Sequence, residues 1–143
     1  MGNAASSQVI EQLNKIFQAE MAGVIRYLHY SFMIMGYNRI PIQKWFRDQA
    51  LESQTHAIMI GEKITSLGGH PSMTPLTVEE THQHSVQALL EETLKHEEVT
   101  LTLYKGLVKL CGEDIALEEL ARGQVRAEQE HIDEVKKMLK SPV

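Results

Sequence analysis

The stretch Glu128-Gln129-Glu130-His131-Ile132-Asp133 organises the interpretation of the whole chain. It lies inside a long segment whose apolar residues recur every three or four positions, the spacing of an amphipathic helix. A carboxylate and an imidazole three residues apart share one helix face and can bind the same metal ion. The stretch therefore predicts part of a metal site whose other ligands must come from elsewhere in the chain.

Four long segments have this helical periodicity, and no segment has the alternation of a strand. Cap residues and glycines set the predicted boundaries at 7–36, 41–67, 85–111 and 114–140. Residues 1–7 are predicted to be a flexible tail, and residues 69–84 a long crossover with room for one helical turn at Thr77-x-x-Glu80. Two helical hairpins joined by one crossover predict a single all-α domain over 1–143, an antiparallel four-helix bundle.

Polar residues that fall on the apolar stripes are informative, because a buried unpaired charge costs several kcal/mol. Each predicted helix carries such residues near its middle. They are Glu20 on the first helix, Glu52 and His56 on the second, Glu97 on the third, and Glu128 and His131 on the fourth.

These inward residues recur at nearly constant offsets between the two halves of the chain. The separations are 77 positions between Glu20 and Glu97, 76 between Glu52 and Glu128, and 75 between His56 and His131. The near-repeat predicts a pseudo-twofold site. Because four carboxylates repel one another in a low-dielectric core, cations must neutralise them, and oxygen ligands with two imidazoles suit a pair of iron or manganese ions.

Composition limits the possible partners. The 143-residue chain has a formal net charge of −5 and no basic stripe to offset repulsion from phosphates, so we expect no nucleic-acid partner. No apolar run reaches the length of a membrane span and no secretion signal is recognisable, so no membrane partner is expected. The single cysteine, Cys111, cannot form an internal disulfide, and a cytoplasmic location is expected.

Over nearly its whole length the sequence resembles a bacterioferritin-like member of the ferritin superfamily. The resemblance is carried by Glu20 with Tyr27 seven residues later, by Glu97 and by the stretch 128–133. It is also carried by His56-Ala57 and the downstream run to Leu67-Gly68-Gly69-His70-Pro71. The resemblance implies a ferritin-like bundle whose subunits assemble into a shell that stores an Fe(III) mineral.

The resemblance also implies roles for the inward residues. Glu20 and Glu97 correspond to terminal iron ligands, Glu52 and Glu128 to bridging ligands, and His56 and His131 to one ligand on each iron. The family spaces its second-helix ligands as Glu-x-x-His, whereas this chain has Glu52-Ser53-Gln54-Thr55-His56. The methionine that binds haem in bacterioferritins falls on Gln54 or Ser53, so haem is not expected.

Three further residues are candidates for contacts around the ligands, namely Tyr27, Gln49 and Gln124. The Tyr27 hydroxyl could hydrogen-bond a ligand or pass an electron, or the side chain could simply fill the core. By helical phase His29 and His96 point away from the site, and we expect them at the surface or an interface.

The expected function is Fe(II) oxidation with dioxygen or peroxide at an intrasubunit site of two iron ions, with manganese as a possible replacement. Such a ferroxidase would form a homo-oligomer that serves iron storage or detoxification. One alternative is a di-iron peroxidase or oxidase of rubrerythrin type without storage, although the sequence lacks the cysteine-rich module that usually accompanies it. The other is a metal-free helical interaction scaffold, which would leave the inward carboxylates without a charge partner.

Overall fold

The computed structural model describes residues 4–74 and 76–141. Four helices follow in order, α1 (Ala4–Met33), α2 (Arg39–Ser66), α3 (Val86–Leu110) and α4 (Ile115–Leu139), with no strand among the described residues. The main packing pairs are α1 with α2, α3 with α4, and α1 with α3. The all-α four-helix bundle predicted from the sequence is confirmed. Within the described ranges, none of the helices carries an apolar stretch that could cross a bilayer.

The N-terminal boundary differs from the prediction. Helix α1 begins at Ala4 and not after Ser7, so residues 4–7 are helical where a flexible tail was predicted. Alanine is the strongest helix former, and Ala4 and Ala5 extend the helix past Ser7, the predicted N-cap. Residues 1–3 of the predicted tail lie outside the described part of the chain.

Side-chain caps mark the N-termini of α3 and α4, as the sequence predicted. The Ser85 hydroxyl accepts a hydrogen bond from the Ala88 backbone N–H at 3.1 Å. The Asp114 carboxylate accepts one from the Leu117 N–H at 3.0 Å. Helices α3 and α4 therefore begin at residues that satisfy their otherwise unpaired amide groups.

The crossover from α2 to α3 follows the surface of α1. Near its start, Asn14 donates to the His70 carbonyl at 3.1 Å and accepts from the Ser72 N–H at 2.7 Å. Further along, His29 Nε2 lies 2.7 Å from Glu80 Oε1. The helical turn considered at Thr77-x-x-Glu80 is absent from the described residues 69–74 and 76–84. Glu80 instead accepts from the His82 N–H at 2.8 Å and pairs with α1.

Two apolar clusters fill the two ends of the bundle. The first includes residues of all four helices, among them Leu13, Ile64, Tyr104 and Leu117. The second forms around Tyr27, Tyr30, Phe46 and Leu90.

Between the clusters lies a layer of buried carboxylates. Glu20, Glu97 and Glu128 are only 2%, 5% and 2% exposed, respectively. The fold therefore concentrates acidic groups at the midpoint of its interior, which is costly unless they are protonated or paired with cations.

Candidate metal centre

One set of potential ligands comes from α1, α2 and α4. His56 Nδ1 lies 2.9 Å from Glu20 Oε2 and 3.9 Å from Glu128 Oε1. Glu20, His56 and Glu128 each offer one ligand atom, and these atoms all lie within 4.8 Å of one another. Two carboxylates and an imidazole at this separation can bind one divalent transition-metal ion.

A second set joins α3 to α4 and shares a member with the first. Glu97, Glu128 and His131 also offer one ligand atom each, all within 4.8 Å of one another. Glu128 therefore belongs to both sets. A carboxylate has two oxygens, so Glu128 is placed where it could contact two neighbouring ions at once.

Glu52 does not occupy the position that the resemblance implied. It belongs to neither set, and its side chain is 40% exposed. Its Oε1 lies 3.0 Å from His131 Nε2 and 3.7 Å from His56 Nε2, at the outer edges of the two rings. The physical reason is the helical phase of α2, because a spacing of four from His56 turns Glu52 toward solvent while Ser53 takes the buried position.

Tyrosine hydroxyls bind the buried carboxylates of Glu20 and Glu97 in a reciprocal arrangement. Tyr104 on α3 donates to Glu20 Oε2 on α1 at 2.8 Å. Tyr27 on α1 donates to Glu97 Oε1 on α3. Each half of the chain therefore orients a carboxylate of the other half. Gln124 extends the network by donating to the Tyr104 oxygen at 3.3 Å.

Of the residues expected around the ligands, Tyr27 and Gln124 belong to this network. Gln49 lies half-buried on α2 and forms no hydrogen bond with the six residues singled out from the sequence. Tyr104, which donates to Glu20, is not among the candidates predicted from the sequence. The available signal was its distance of 77 positions from Tyr27, the same offset that relates Glu97 to Glu20.

The metal-free centre is electrostatically unfavourable for its carboxylates. Burial raises the pKa of Glu128 far above its ordinary value, and the adjacent Glu97 carboxylate raises this pKa further. Burial also raises the pKa of Glu20, although the hydrogen bond and charge of His56 oppose the increase. Burial thus makes the ionised forms of Glu20 and Glu128 costly when no cation is present.

The pKa shifts of the two histidines and of Glu52 favour their charged forms. Burial lowers the pKa of His56, but hydrogen bonding to Glu20 and its charge outweigh burial, so the net pKa is raised. The hydrogen bond to Glu52 raises the pKa of His131, and the same bond lowers the pKa of Glu52. These residues form a charge-paired edge around the acidic layer.

One unsatisfied atom indicates that the donor set fits a cation. Glu128 Oε2 is buried and has no hydrogen-bond partner. Buried polar atoms are rarely left unpaired, and an unpaired oxygen of a carboxylate that belongs to a carboxylate–imidazole cluster is suited to a metal ion.

His96 is placed differently from the sequence-based expectation. Its ring packs edge-on against Tyr27, with centroids 5.8 Å apart, and is half-buried. Burial lowers the pKa of His96 to about 4. A Cβ at Gly23 would lie 3.2 Å from its Nε2 and 2.8 Å from Ser53 Oγ, so the glycine makes room for both side chains. His96 belongs to neither ligand set.

The bundle and its central layer define a class of helical proteins whose facing helices supply inward carboxylates and imidazoles. A family model described as the ferritin-like domain matches residues 10–141, and the chain belongs to this family.

Three similar proteins illustrate the relationship. The nutrient stress-induced DNA-binding protein of Synechococcus sp. is 25% identical over 112 residues, which are 73% of this chain and 64% of that protein. The bacterioferritin of Rhodobacter capsulatus is 26% identical over 132 residues, 89% of this chain and 80% of that one. A structure of ferritin-like, diiron-carboxylate proteins from Bacillus anthracis str. Ames has a TM-score of 0.91 and 25% identity, covering 97% of this chain and 100% of its own. The resemblance to bacterioferritin-like proteins is confirmed, and the chain spans less than two thirds of the Synechococcus relative.

Proposed function

We propose that this protein binds two iron ions at the central layer and oxidises Fe(II) to Fe(III), as a ferroxidase in iron storage or detoxification. The observation that carries the proposal is the position of Glu128. It is shared by two ligand sets, and one of its buried oxygens lacks a partner.

We base the proposed ligands on the two sets. Glu20 and His56 would hold one ion, Glu97 and His131 the other, and Glu128 both. Each Fe(II) gives one electron to dioxygen or peroxide. The anionic carboxylate oxygens of the protein offset the positive charge of the ions and stabilise Fe(III) relative to Fe(II). The tyrosine hydroxyls of Tyr27 and Tyr104 keep the terminal carboxylates oriented.

The outer face of the first hairpin supports assembly with further copies of the chain. Exposed apolar side chains recur along one face of α1 and on the adjacent α2. They are Met21, Ile25, Leu28 and Phe32 on α1, and Leu51 and Ile58 on α2. A patch of this kind on a helical bundle marks a protein interface, and homo-oligomers usually pair identical patches.

A nucleic-acid partner is not part of the proposal. The Synechococcus relative is named as a DNA-binding protein. The present chain has a formal net charge of −5, which opposes binding to a polyanion. A gel-shift titration with duplex DNA at low salt should therefore show no complex, and a salt-sensitive complex would contradict this part of the proposal.

The deciding experiment adds Fe(II) aerobically to metal-free protein and follows ferric absorbance and particle size. We expect rapid oxidation of the first two ions per chain, continued uptake beyond them, and a particle larger than one chain. Oxidation that stops at two ions would support the di-iron enzyme without storage. No saturable iron binding would overturn all metal-dependent functions.

Variants at two glutamates of α4 make the test specific. Glu128→Ala removes the shared carboxylate and should abolish the rapid phase while helicity by circular dichroism is kept. Glu130→Ala is the matched control, because Glu130 is exposed and pairs with Arg126 at 3.1 Å on the helix surface. If both variants oxidised iron at the wild-type rate, the role assigned to Glu128 would be wrong.

A further inference from the structure

We propose that Glu52 is a positioning residue that holds the outer edges of both imidazoles, and that it is not a bridging metal ligand. The inference rests on the proposed function, because the orientation of the rings matters for metal binding. It concerns the position at which this chain departs from the Glu-x-x-His spacing of the family it resembles.

One carboxylate oxygen faces both rings. Glu52 Oε1 is within hydrogen-bond distance of His131 Nε2, at 3.0 Å, and within ion-pair distance of His56 Nε2, at 3.7 Å. On the far side of the His56 ring, Nδ1 faces Glu20 at 2.9 Å and Glu128 at 3.9 Å. Glu52 and the ligand sets therefore contact opposite edges of this imidazole.

Exposure and helical phase argue against a bridging role. The Glu52 side chain is 40% exposed, whereas Glu128, the carboxylate shared by both sets, is 2% exposed. The buried position of this turn of α2 is taken by Ser53, which is 6% exposed and packs beside Gly23. His56 is therefore the one residue of α2 that belongs to a ligand set, the set with Glu20 and Glu128.

The position of the proton on the imidazole ring determines which nitrogen can bind a metal ion. A neutral histidine carries one N–H, and the nitrogen that keeps the proton cannot bind a metal ion. At His131, the Glu52 carboxylate 3.0 Å from Nε2 keeps the proton there and leaves the Nδ1 lone pair available to a metal ion. At His56 the Glu52 contact is longer, and the nearest carboxylate, Glu20, lies 2.9 Å from Nδ1. Carboxylates that accept from the outer nitrogen of metal-binding histidines raise ligand basicity and fix the ring, and their removal typically lowers metal affinity.

The first test reads the tautomer without any metal. Long-range ¹H–¹⁵N NMR spectra of the metal-free protein, recorded at increasing pH until the imidazole shifts stop changing, report which nitrogen carries the proton in the neutral rings. We expect Nε2–H for His131 in the wild type and a mixture of His131 tautomers in Glu52→Ala, because Glu52 lies within hydrogen-bond distance of this ring. Predominant Nδ1–H in the wild type, or spectra unchanged by Glu52→Ala, would overturn the proposal.

The second test separates positioning from ligation by comparing two substitutions. Glu52→Gln keeps an oxygen that accepts from Nε2–H but loses the charge needed to bridge two cations. In titrations of metal-free protein with Co(II), followed by visible absorption, we expect Glu52→Ala to bind about 10- to 100-fold more weakly. Glu52→Gln should recover most of this loss, with the coordination spectrum of the wild type. Equal losses in both variants with an altered spectrum would identify Glu52 as a ligand.

A control and a separate readout keep the two proposals distinguishable. Glu62→Gln removes an exposed carboxylate of the same helix, away from the rings, and should leave both the tautomers and the Co(II) titration unchanged. A wild-type protein that binds no Co(II) or iron would overturn the proposed function. The NMR result would still decide whether Glu52 sets the tautomers.

Discussion

The Tyr104 hydroxyl donates a 2.8 Å hydrogen bond to Glu20 Oε2 across the interior of the bundle. The tyrosine and the carboxylate come from opposite halves of the chain, and Tyr27 makes the reciprocal contact with Glu97. Each of these two buried carboxylates therefore accepts a hydrogen bond from the other hairpin, and Glu20 also pairs with His56 of its own hairpin at 2.9 Å.

Removing the Tyr104 hydroxyl should therefore affect the chemistry more than the fold. In Tyr104→Phe, Glu20 keeps His56 but loses its second partner, and we expect Fe(II) oxidation about 10-fold slower with helicity unchanged. Stopped-flow absorbance measures the rate. Tyr30→Phe is the control, because the Tyr30 hydroxyl bonds Glu92 at 2.9 Å, outside the ligand sets. An equal rate for Tyr104→Phe and wild type would remove the positioning role.

The raised pKa of Glu128 predicts how the stability of metal-free protein depends on pH. In the unfolded chain this carboxyl ionises near its ordinary pKa of 4.5, whereas burial keeps it protonated in the folded state well above that pH. The unfolded state therefore binds fewer protons above about pH 4.5, and the free energy of unfolding falls as pH rises. The raised pKa values of His56 and His131 act in the same direction, because their stabilisation is lost as pH rises through the folded pKa.

Thermal unfolding in the presence of a chelator checks this dependence. We expect a lower Tm at about pH 8 than at about pH 6, and a flatter profile with a higher Tm at pH 8 for Glu128→Gln. Glu130→Gln, at an exposed position, should keep the wild-type slope. A wild-type Tm that increased over this range would contradict the direction assigned to the pKa of Glu128.

Gly23 is required by close packing between α1, α2 and α3. A Cβ there would lie 2.8 Å from Ser53 Oγ and 3.2 Å from His96 Nε2, so Gly23→Ala should lower the free energy of unfolding by about 1–3 kcal/mol. Adding Ser53→Ala should recover part of the loss. The matched control is Gly123→Ala in α4, where an added Cβ would meet no atom within 4 Å beyond the nearby backbone of its own helix. That substitution should stabilise the protein by about 0.5–1 kcal/mol, and urea unfolding measures all three variants.

The helix caps give a prediction that is independent of metal. Ser85→Ala and Asp114→Ala each remove a side-chain acceptor from a helix N-terminus and should cost about 1 kcal/mol in urea unfolding. Asn38 precedes α2 but makes no side-chain cap hydrogen bond, so Asn38→Ala should be nearly neutral. Equal effects at the three positions would show that the hydrogen bonds do not determine these helix ends.

Much of the fold could be predicted because helical periodicity extends over long segments and is interrupted by glycines and cap residues. The start of α1 could not, because two alanines outweigh the capping preference of Ser7. The path of the crossover depends on contacts with α1, such as Asn14 with Ser72, whose members are far apart in sequence. A local signature such as Thr77-x-x-Glu80 carries no information about these contacts.

The site was predictable where a charge interrupts an apolar stripe. Glu20, Glu97 and Glu128 are buried as their positions on the stripes predicted. Glu52 was ambiguous, because spacings of three and four both keep two residues on one helix face, and only the rotation of α2 in the bundle decides which one is inside. The packing of His96 against Tyr27 was not predictable, because the sequence does not show that Gly23 leaves space beside the ring.

The carboxylate layer also has a consequence for how this protein can change over evolutionary time. It separates two apolar clusters that share no buried residue, so substitutions in one cluster should add to those in the other with little coupling in free energy. The apolar residues at each end of the bundle can then be substituted, in evolution or by design, independently of those at the other end. Low overall identity with a retained fold is the outcome that such modular packing allows.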